Sequence, residues 1–462
     1  MPKPKVNKSS TRPRTLAFCG GAFGDEGKGR IVDMVVHDLA RRGPVIVYRD
    51  NGGANAGHTI EFSDGQRVAF HQLPSGVFVG GATVVLGKGM VIHPGDLVAE
   101  LEQIGQVTAV KARAKILIDE MAVLALDTHR AFENVLKTWQ SGGKGATGRG
   151  ISPAYADILL RHPLRMRDII DFDEDKIKAH YDLYNALIAG LGQKMAAAEV
   201  ATLSGKTIRV GSRALFTKRL KQQAAALKPL VADLHPWIKD RWEDQKWSFV
   251  FEKAQAVGLD SRWGVYPDIT ASDTTFDGIF GSTQGVVDSD RISVRAGVIK
   301  ATYMSSVGTR ILPSMMEPVL AHRIREDAHE YGATTKRPRD IAYLDLPAIS
   351  FFGKVGRLNG LVLTHMDISY LDTPIKVCVG YKIGKKSVAY RPDQQFLDRL
   401  TPMFMEFRPW DPAKMAQAKT KKGIPAEAKK FLEFVETATG LPVLAITTGP
   451  RREQSLILKK LF

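Results

Sequence analysis

Cysteine is almost missing from this 462-residue chain, with Cys19 and Cys378 its only thiols. Two isolated cysteines build neither a disulfide framework nor a cysteine-rich zinc site. Both lie in apolar runs, LAFC and IKVC, and read as reduced core residues. Acidic residues are in deficit: 49 Asp and Glu stand against 65 Lys and Arg, a formal net charge of +16. That excess suits anionic partners such as nucleotides, phosphates or nucleic acid. No apolar run reaches the ~18 residues that a membrane span needs. The charged N-terminus has no apolar stretch behind it, so no secretory signal is expected. No repeat of 20–50 residues recurs, which argues against solenoids and propellers. The remaining composition, 44% hydrophobic and 25% charged, is that of an ordinary globular protein, and a cytoplasmic localisation is expected.

Residues 1–14 (MPKPKVNKSSTRPR) read as a disordered basic tail. A strand is expected at 15–19, a glycine-rich turn at 20–29, a helix at 30–42 and a strand at 45–49. This order signals a parallel sheet. Further strands are expected at 83–87, 115–119, 247–252, 297–304, 360–367, 375–383 and 443–449. Helices are expected after His93-Pro94-Gly95-Asp96, at about 128–139 and at 426–438. Residues 172–245 read as a helical subdomain within a single domain spanning 15–462. The expected fold is α/β: one large, mainly parallel sheet flanked by helices on both sides. In such sheets ligands gather at the carboxyl ends of strands. Four polar, glycine-rich segments fall there: 20–29, 50–59, 142–153 and 446–452.

The first, GGAFGDEGKGR (20–30), offers close backbone approach, a helix N-terminus and the Lys28 amine, all suited to phosphate. It is not a true P-loop, because Ala22 and Gly29 stand where Gly and Ser or Thr are needed. Asp25 and Glu26 are unexpected beside phosphate unless a metal or a proton transfer needs a carboxylate. The second, RDNGGANAGHT (49–59), crowds amides and one histidine, His58, behind a strand. That placement favours an active-site role over a structural one. The third, KGATGRGISP (144–153), with Arg161 downstream, fits either a phosphate site or a solvated loop. ATTKRPR (333–339) suits carboxylate recognition or a solvated charged loop. In LTHMD (363–367), Asp367 fits either a guanine acceptor or a helix cap.

Taken in order, these segments resemble the adenylosuccinate synthetase family. The most specific are GDEGKGRIVD, NGGANAGHT, GATGRGISPAY and TTGPRRE. GVYPDITASDTT and EYGATTKRPR add support. The resemblance implies a P-loop-NTPase-like core with inserted helical regions. It implies a GTP-dependent carbon–nitrogen ligase that joins L-aspartate to IMP through a 6-phosphoryl intermediate. The products would be adenylosuccinate, GDP and phosphate, and the cofactor would be Mg2+. Asp25 and His58 would be catalytic. Asn55, Thr147, Arg161, Gln255 and Thr270 would hold IMP, and Thr335 and Arg337 the aspartate. Gly27, Lys28, Gly29, Arg339, Asp367, Thr448 and Gly449 would hold GTP. Asp25 and the Gly57 carbonyl would hold the metal. Arg161 would reach the partner's active site in a homodimer.

The chain departs from the family pattern where the donor base and amino acid are held. His365 replaces a lysine, Lys336 a glycine and Asp273 an asparagine. Residues 305–317 and Arg262 differ as well. Two other readings fit the residues: a paralogue using another purine nucleotide such as dGMP, another amine or ATP, and a non-catalytic nucleotide or nucleic-acid binder. No RNA-binding aromatic motif or helix-turn-helix signal supports the binder.

Overall fold

The computed structural model describes residues 12–61, 66–108, 113–139, 146–306, 308, 310–332, 337–449, 451 and 453–461. Ten strands form its central sheet: β1 (Arg12–Gly20), β2 (Val45–Arg49), β3 (Ala82–Leu86), β4 (Lys115–Asp119), β5 (Val231–Ala232), β6 (Ser248–Ala256), β7 (Ile292–Lys300), β8 (Gly360–Thr364), β9 (Val443–Thr447) and β10 (Ser455–Ile457). Their order across the sheet is β5-β4-β3-β2-β6-β1-β7-β8-β9-β10. Every pairing is parallel except that of β10 with β9.

Strands buried on both faces must be apolar on both faces. β2, β3, β8 and β9 are buried along their whole length. In β1, Leu16 and Phe18 join the core on one face, while Ala17 and Cys19 join the core on the other. The first face is covered by α1 (Lys28–Ala40) and the helices Pro94–Gln106 and Asp127–Trp139. Ile31, Val32, Val35, Val36 and Leu39 form the buried stripe of α1. Each such side chain contributes roughly 1.5–3 kcal/mol by leaving water. Helices Leu234–Glu243, Leu346–Val355 and Ala426–Thr439 cover the second face. Both cysteines are buried and unbridged, and burial pushes the Cys19 thiol up to about 12.

The structure differs from the sequence expectations in several places. β1 begins at Arg12 and so takes in the last three residues of the expected tail; residues 1–11 lie outside the described residues. The stretch 172–245 is helical at Glu174–Gly190, Arg213–Leu227 and Leu234–Glu243, but it also holds a small hairpin and supplies β5. The strand Ile375–Ile383 is not in the central sheet. It pairs with Asp340–Asp345, Lys386–Val388 and Thr401–Phe407 in a second sheet that also contains Tyr303–Ser306. Lys376 and Lys382 interrupt its apolar pattern, which a strand covered on both faces would not tolerate. The expected strand 297–304 is two elements, because the chain leaves the central sheet after Lys300. No described helix is long and apolar enough to cross a membrane.

Candidate active site

A cavity of about 530 Å3 opens at the carboxyl ends of β1, β2 and β6. It is lined by the turn after β1 (Phe23 to Arg30), by Arg49, by Asn55 to Gly57 and by Glu252 to Gln255. Arg339 and residues 329, 331 and 332 close another side. Five cationic side chains line it, those of Lys28, Arg30, Arg49, Lys253 and Arg339, against the carboxylates of Asp25 and Glu252. Such a wall suits a polyanion.

The β1 turn is shaped by its own carboxylate. Glu26 is 2% exposed and folds back into the loop, where it accepts from Gly24 N (2.7 Å) and Ala22 N (3.3 Å). Its other oxygen meets Lys28 Nζ at 3.3 Å. Glu26 therefore braces the loop, and Asp25 is the carboxylate left facing the cavity. Gly27 adopts φ 85° and starts α1 with no side-chain cap, so the first-turn N–H groups are open to an anion.

Asp25 is itself held at φ 57°. Its Oδ2 meets Arg339 Nη2 at 2.5 Å, and Arg339 Nη1 meets Glu330 Oε2 at 2.6 Å. Arg49 is fully buried, and neither its Nε nor its Nη1 has a hydrogen-bond partner among the described residues. Burial lowers its pKa against the opposing pull of Glu252 and Glu100. Lys253 forms a buried ion pair with Asp50. The 50–58 loop packs tightly: a Cβ on Gly53 would lie 2.2 Å from the Val91 carbonyl oxygen, so only glycine fits.

Of the residues expected from sequence, the cavity brings together Asp25, Gly27, Lys28, Gly29, Asn55, Gly57, Gln255 and Arg339. Gln255, at φ 57°, accepts from Ser272 Oγ (3.2 Å), and Ser272 lies 3.4 Å from Thr270 Oγ1. Thr270 thus stands one residue behind the cavity wall. Asp367, Thr448 and Gly449 gather at the ends of β8 and β9. Arg30 joins them to the cavity: its guanidinium donates to the carbonyls of Gly449 and Arg451, to Gln454 O (2.8 Å) and to Ser455 Oγ (3.1 Å). Thr147, Arg161 and Arg337 do not line the cavity. Arg161 is exposed at the end of α2 (Ile151–Leu160), in a left-handed conformation. His58 opens the strand His58–Glu61, and its side chain lies outside the described part. Thr335 lies outside the described residues.

At the β8 end, burial together with Lys300, Arg30 and Arg339 lowers the His365 imidazole to about 4, so it is neutral at pH 7. Sequence reasoning passed over Arg30, Arg49, Glu252, Lys300 and Glu330. Three of them left a signal, Arg49 by opening the second glycine-rich segment. Arg30 ends the first glycine-rich segment, and Glu330 is the acidic residue just before the basic 331–339 stretch.

Asp25 and the Gly57 carbonyl are hard oxygen donors on one cavity, the donor type Mg2+ prefers. A second group, His129, Asp157 and His180, brings three ligand atoms within 4.8 Å of one another. There Leu126 N–H donates to His129 Nδ1 (2.9 Å), so the proton sits on Nε2 and is given to Asp157 Oδ2 (2.9 Å). The Tyr184 hydroxyl satisfies the other oxygen at 2.7 Å. This cluster is a buried hydrogen-bond relay away from the cavity.

A family profile for adenylosuccinate synthetase matches residues 17–456. The adenylosuccinate synthetase of Chlorobaculum parvum is 32% identical over 456 residues, 97% of this chain and 99% of its own length. That of Acetivibrio thermocellus is 32% identical over 451 residues, 96% of this chain and 99% of its own. The fully ligated adenylosuccinate synthetase of Plasmodium falciparum superposes with a TM-score of 0.82 at 26% identity, covering 96% of this chain and all of that one. The cyanophage S-2L succinoaminodeoxyadenylate synthetase, solved with dGMP and dATP, has a TM-score of 0.56 at 15% identity, a likeness of fold alone. With its profile, its relatives and its sheet in agreement, the chain belongs to the adenylosuccinate synthetase family.

Proposed function

We propose that the chain is a GTP-dependent ligase joining L-aspartate to IMP, with adenylosuccinate, GDP and phosphate as products. One observation carries this reading. Asp25, Lys28, Asn55, Gly57 and Gln255, drawn from three separate segments, line a single cation-rich cavity. The site assignments rest on family membership and on that convergence.

The purine O6 is a poor leaving group until it is phosphorylated. Asp25 takes the N1 proton of IMP, and the electron pair makes O6 nucleophilic toward the γ-phosphorus of GTP. GDP leaves, and a 6-phosphoryl purine remains. The aspartate amine then attacks C6 and displaces phosphate. Lys28, the N-terminus of α1 and His58 stabilise charge on the transferring group; such transfers depend chiefly on positioning and neutralisation. Asp25 and the Gly57 carbonyl would hold Mg2+, which when bound supplies further neutralisation of the phosphates. Asn55, Thr147, Gln255 and Thr270 hold IMP, with Arg161 contributed across a homodimer. Thr335 and Arg337 hold aspartate. Gly27, Lys28, Gly29, Arg339, Asp367, Thr448 and Gly449 hold GTP. The working compartment is the cytoplasm.

The test is phosphate release from purified protein with IMP, L-aspartate, Mg2+ and GTP, run beside the same mixture with ATP. Release with GTP that requires both IMP and aspartate supports the proposal. Release only with ATP, or only with dGMP as acceptor, would replace it with the paralogue reading.

A further inference from the structure

We infer that Glu330 is a positioning residue for phosphoryl transfer, holding Arg339 in the orientation in which it meets Asp25 and the bound donor. The inference deepens the function proposed above and rests on it.

Glu330 is 1% exposed. Its Oε1 takes the Lys300 ammonium (2.5 Å) and the Tyr303 hydroxyl (2.6 Å), and its Oε2 takes Arg339 Nη1 (2.6 Å). Burial alone would raise this carboxyl, but Lys300 and Arg339 outweigh it and hold the group well below the usual carboxylate range. Glu330 is thus a fixed anion. The second terminal nitrogen of Arg339 meets Asp25 Oδ2 at 2.5 Å. One planar guanidinium therefore bridges two carboxylates of very different exposure, 1% for the Glu330 side chain and 31% for that of Asp25. The buried carboxylate anchors, and the open one faces the cavity.

The anchor is tied to the rigid part of the fold. Lys300 ends β7, the neighbour of the β1 strand that delivers Asp25. Tyr303 opens the second sheet, and its ring meets His365 edge-on at 5.9 Å between centroids. The Arg339 amide also donates to the Glu330 carbonyl at 3.0 Å, which fixes the backbone from which the guanidinium reaches. Compensating Lys300 would need only one carboxylate oxygen. The other is given to Arg339, whose far end reaches the catalytic carboxylate. Supporting contacts of this kind matter because a misplacement of about 1 Å at a reacting centre costs on the order of 10²-fold in rate.

The experiment compares the wild-type enzyme, Glu330→Gln, Arg339→Lys and the double variant by steady-state phosphate release. GTP is varied at saturating IMP, L-aspartate and Mg2+. The expected result is a GTP KM raised about fivefold or more in Glu330→Gln, with kcat lowered about tenfold or more and the IMP KM unchanged. The double variant should fall within about threefold of the worse single variant, because one side chain acts through the other. A merely structural role would lower the folded fraction, and so kcat, without moving the GTP KM. If Glu330→Gln does not fold, Tyr303→Phe, which removes one donor only, must raise the GTP KM by about twofold. An unchanged GTP KM, or losses that multiply in the double variant, would overturn the inference. A wild-type protein silent with all substrates would instead fail the function itself, before any variant is compared.

Discussion

Asp25 sits at the tip of a turn whose other carboxylate is used up in bracing the loop. Its replacement by asparagine keeps size and shape and removes the proposed base. Asp25→Asn should lose about 10²–10⁴-fold in kcat with an unchanged melting temperature. Appreciable turnover in the purified variant would contradict its role. His365 gives a prediction about stability. Its imidazole is lowered to about 4, against an ordinary value of 6.5. Between those values the unfolded chain binds a proton that the folded chain does not. Stability is therefore lost as pH falls from about 6.5 toward 4. His365→Gln should make the fall in melting temperature over that range shallower, which thermal unfolding at stepped pH would measure. At this scale the sequence was informative where one segment holds the whole arrangement, as in residues 20–30. It was uninformative for the contact of Glu330 with Lys300 and Arg339, which requires two sheets and the chain between them. Residue type alone also gave Glu26 and Asp25 equal standing. Only the direction each carboxylate faces separates them.

Among the elements, the strands of the central sheet were legible because burial on both faces forces unbroken apolar runs such as VIVY (45–48) and VLAI (443–446). The second sheet was not: its strand Ile375–Ile383 was expected but assigned to the central sheet, because Asp340–Asp345 and Thr401–Phe407, with which it pairs, are remote in sequence. β5 was hidden for another reason: two residues at a sheet edge carry no periodicity. The loop between β2 and β3 makes a prediction of its own. Gly53 lies against the Val91 carbonyl, and a backbone oxygen cannot swing aside as a side chain can. Gly53→Ala should destabilise by about 1–3 kcal/mol and shift Asn55 and Gly57 out of place. Denaturant titration and turnover read the two effects separately. A variant with wild-type stability and activity would show that the loop yields more easily than its packing implies.

For the whole molecule, the proposed function calls for a second copy. Arg161 is exposed and does not line its own chain's cavity, while Ile158, Leu159 and Leu160 beside it are exposed and apolar. On the proposed homodimer, Arg161→Ala and Asp25→Asn damage different halves of a shared site. Mixed in equal amounts and allowed to exchange, the two inactive proteins should regain about a quarter of wild-type activity, since half of the dimers are mixed and each has one intact site. No recovery would place Arg161 in its own subunit's chemistry, and an active Arg161→Ala protein would place it outside the reaction.

The four hydrogen-bonding contacts from Arg30 to the segment 449–455 have a further consequence. Arg30 lies in the first turn of α1, at the phosphate end of the proposed donor site, and the segment it grips follows β9, at the base end. On that proposed site the side chain would act as a caliper. It sets the separation between the place where a phosphate chain ends and the place where a purine begins. A donor is then measured by length as well as read by its edge, and inorganic triphosphate, with nothing to span the gap, would be left without its second point of attachment.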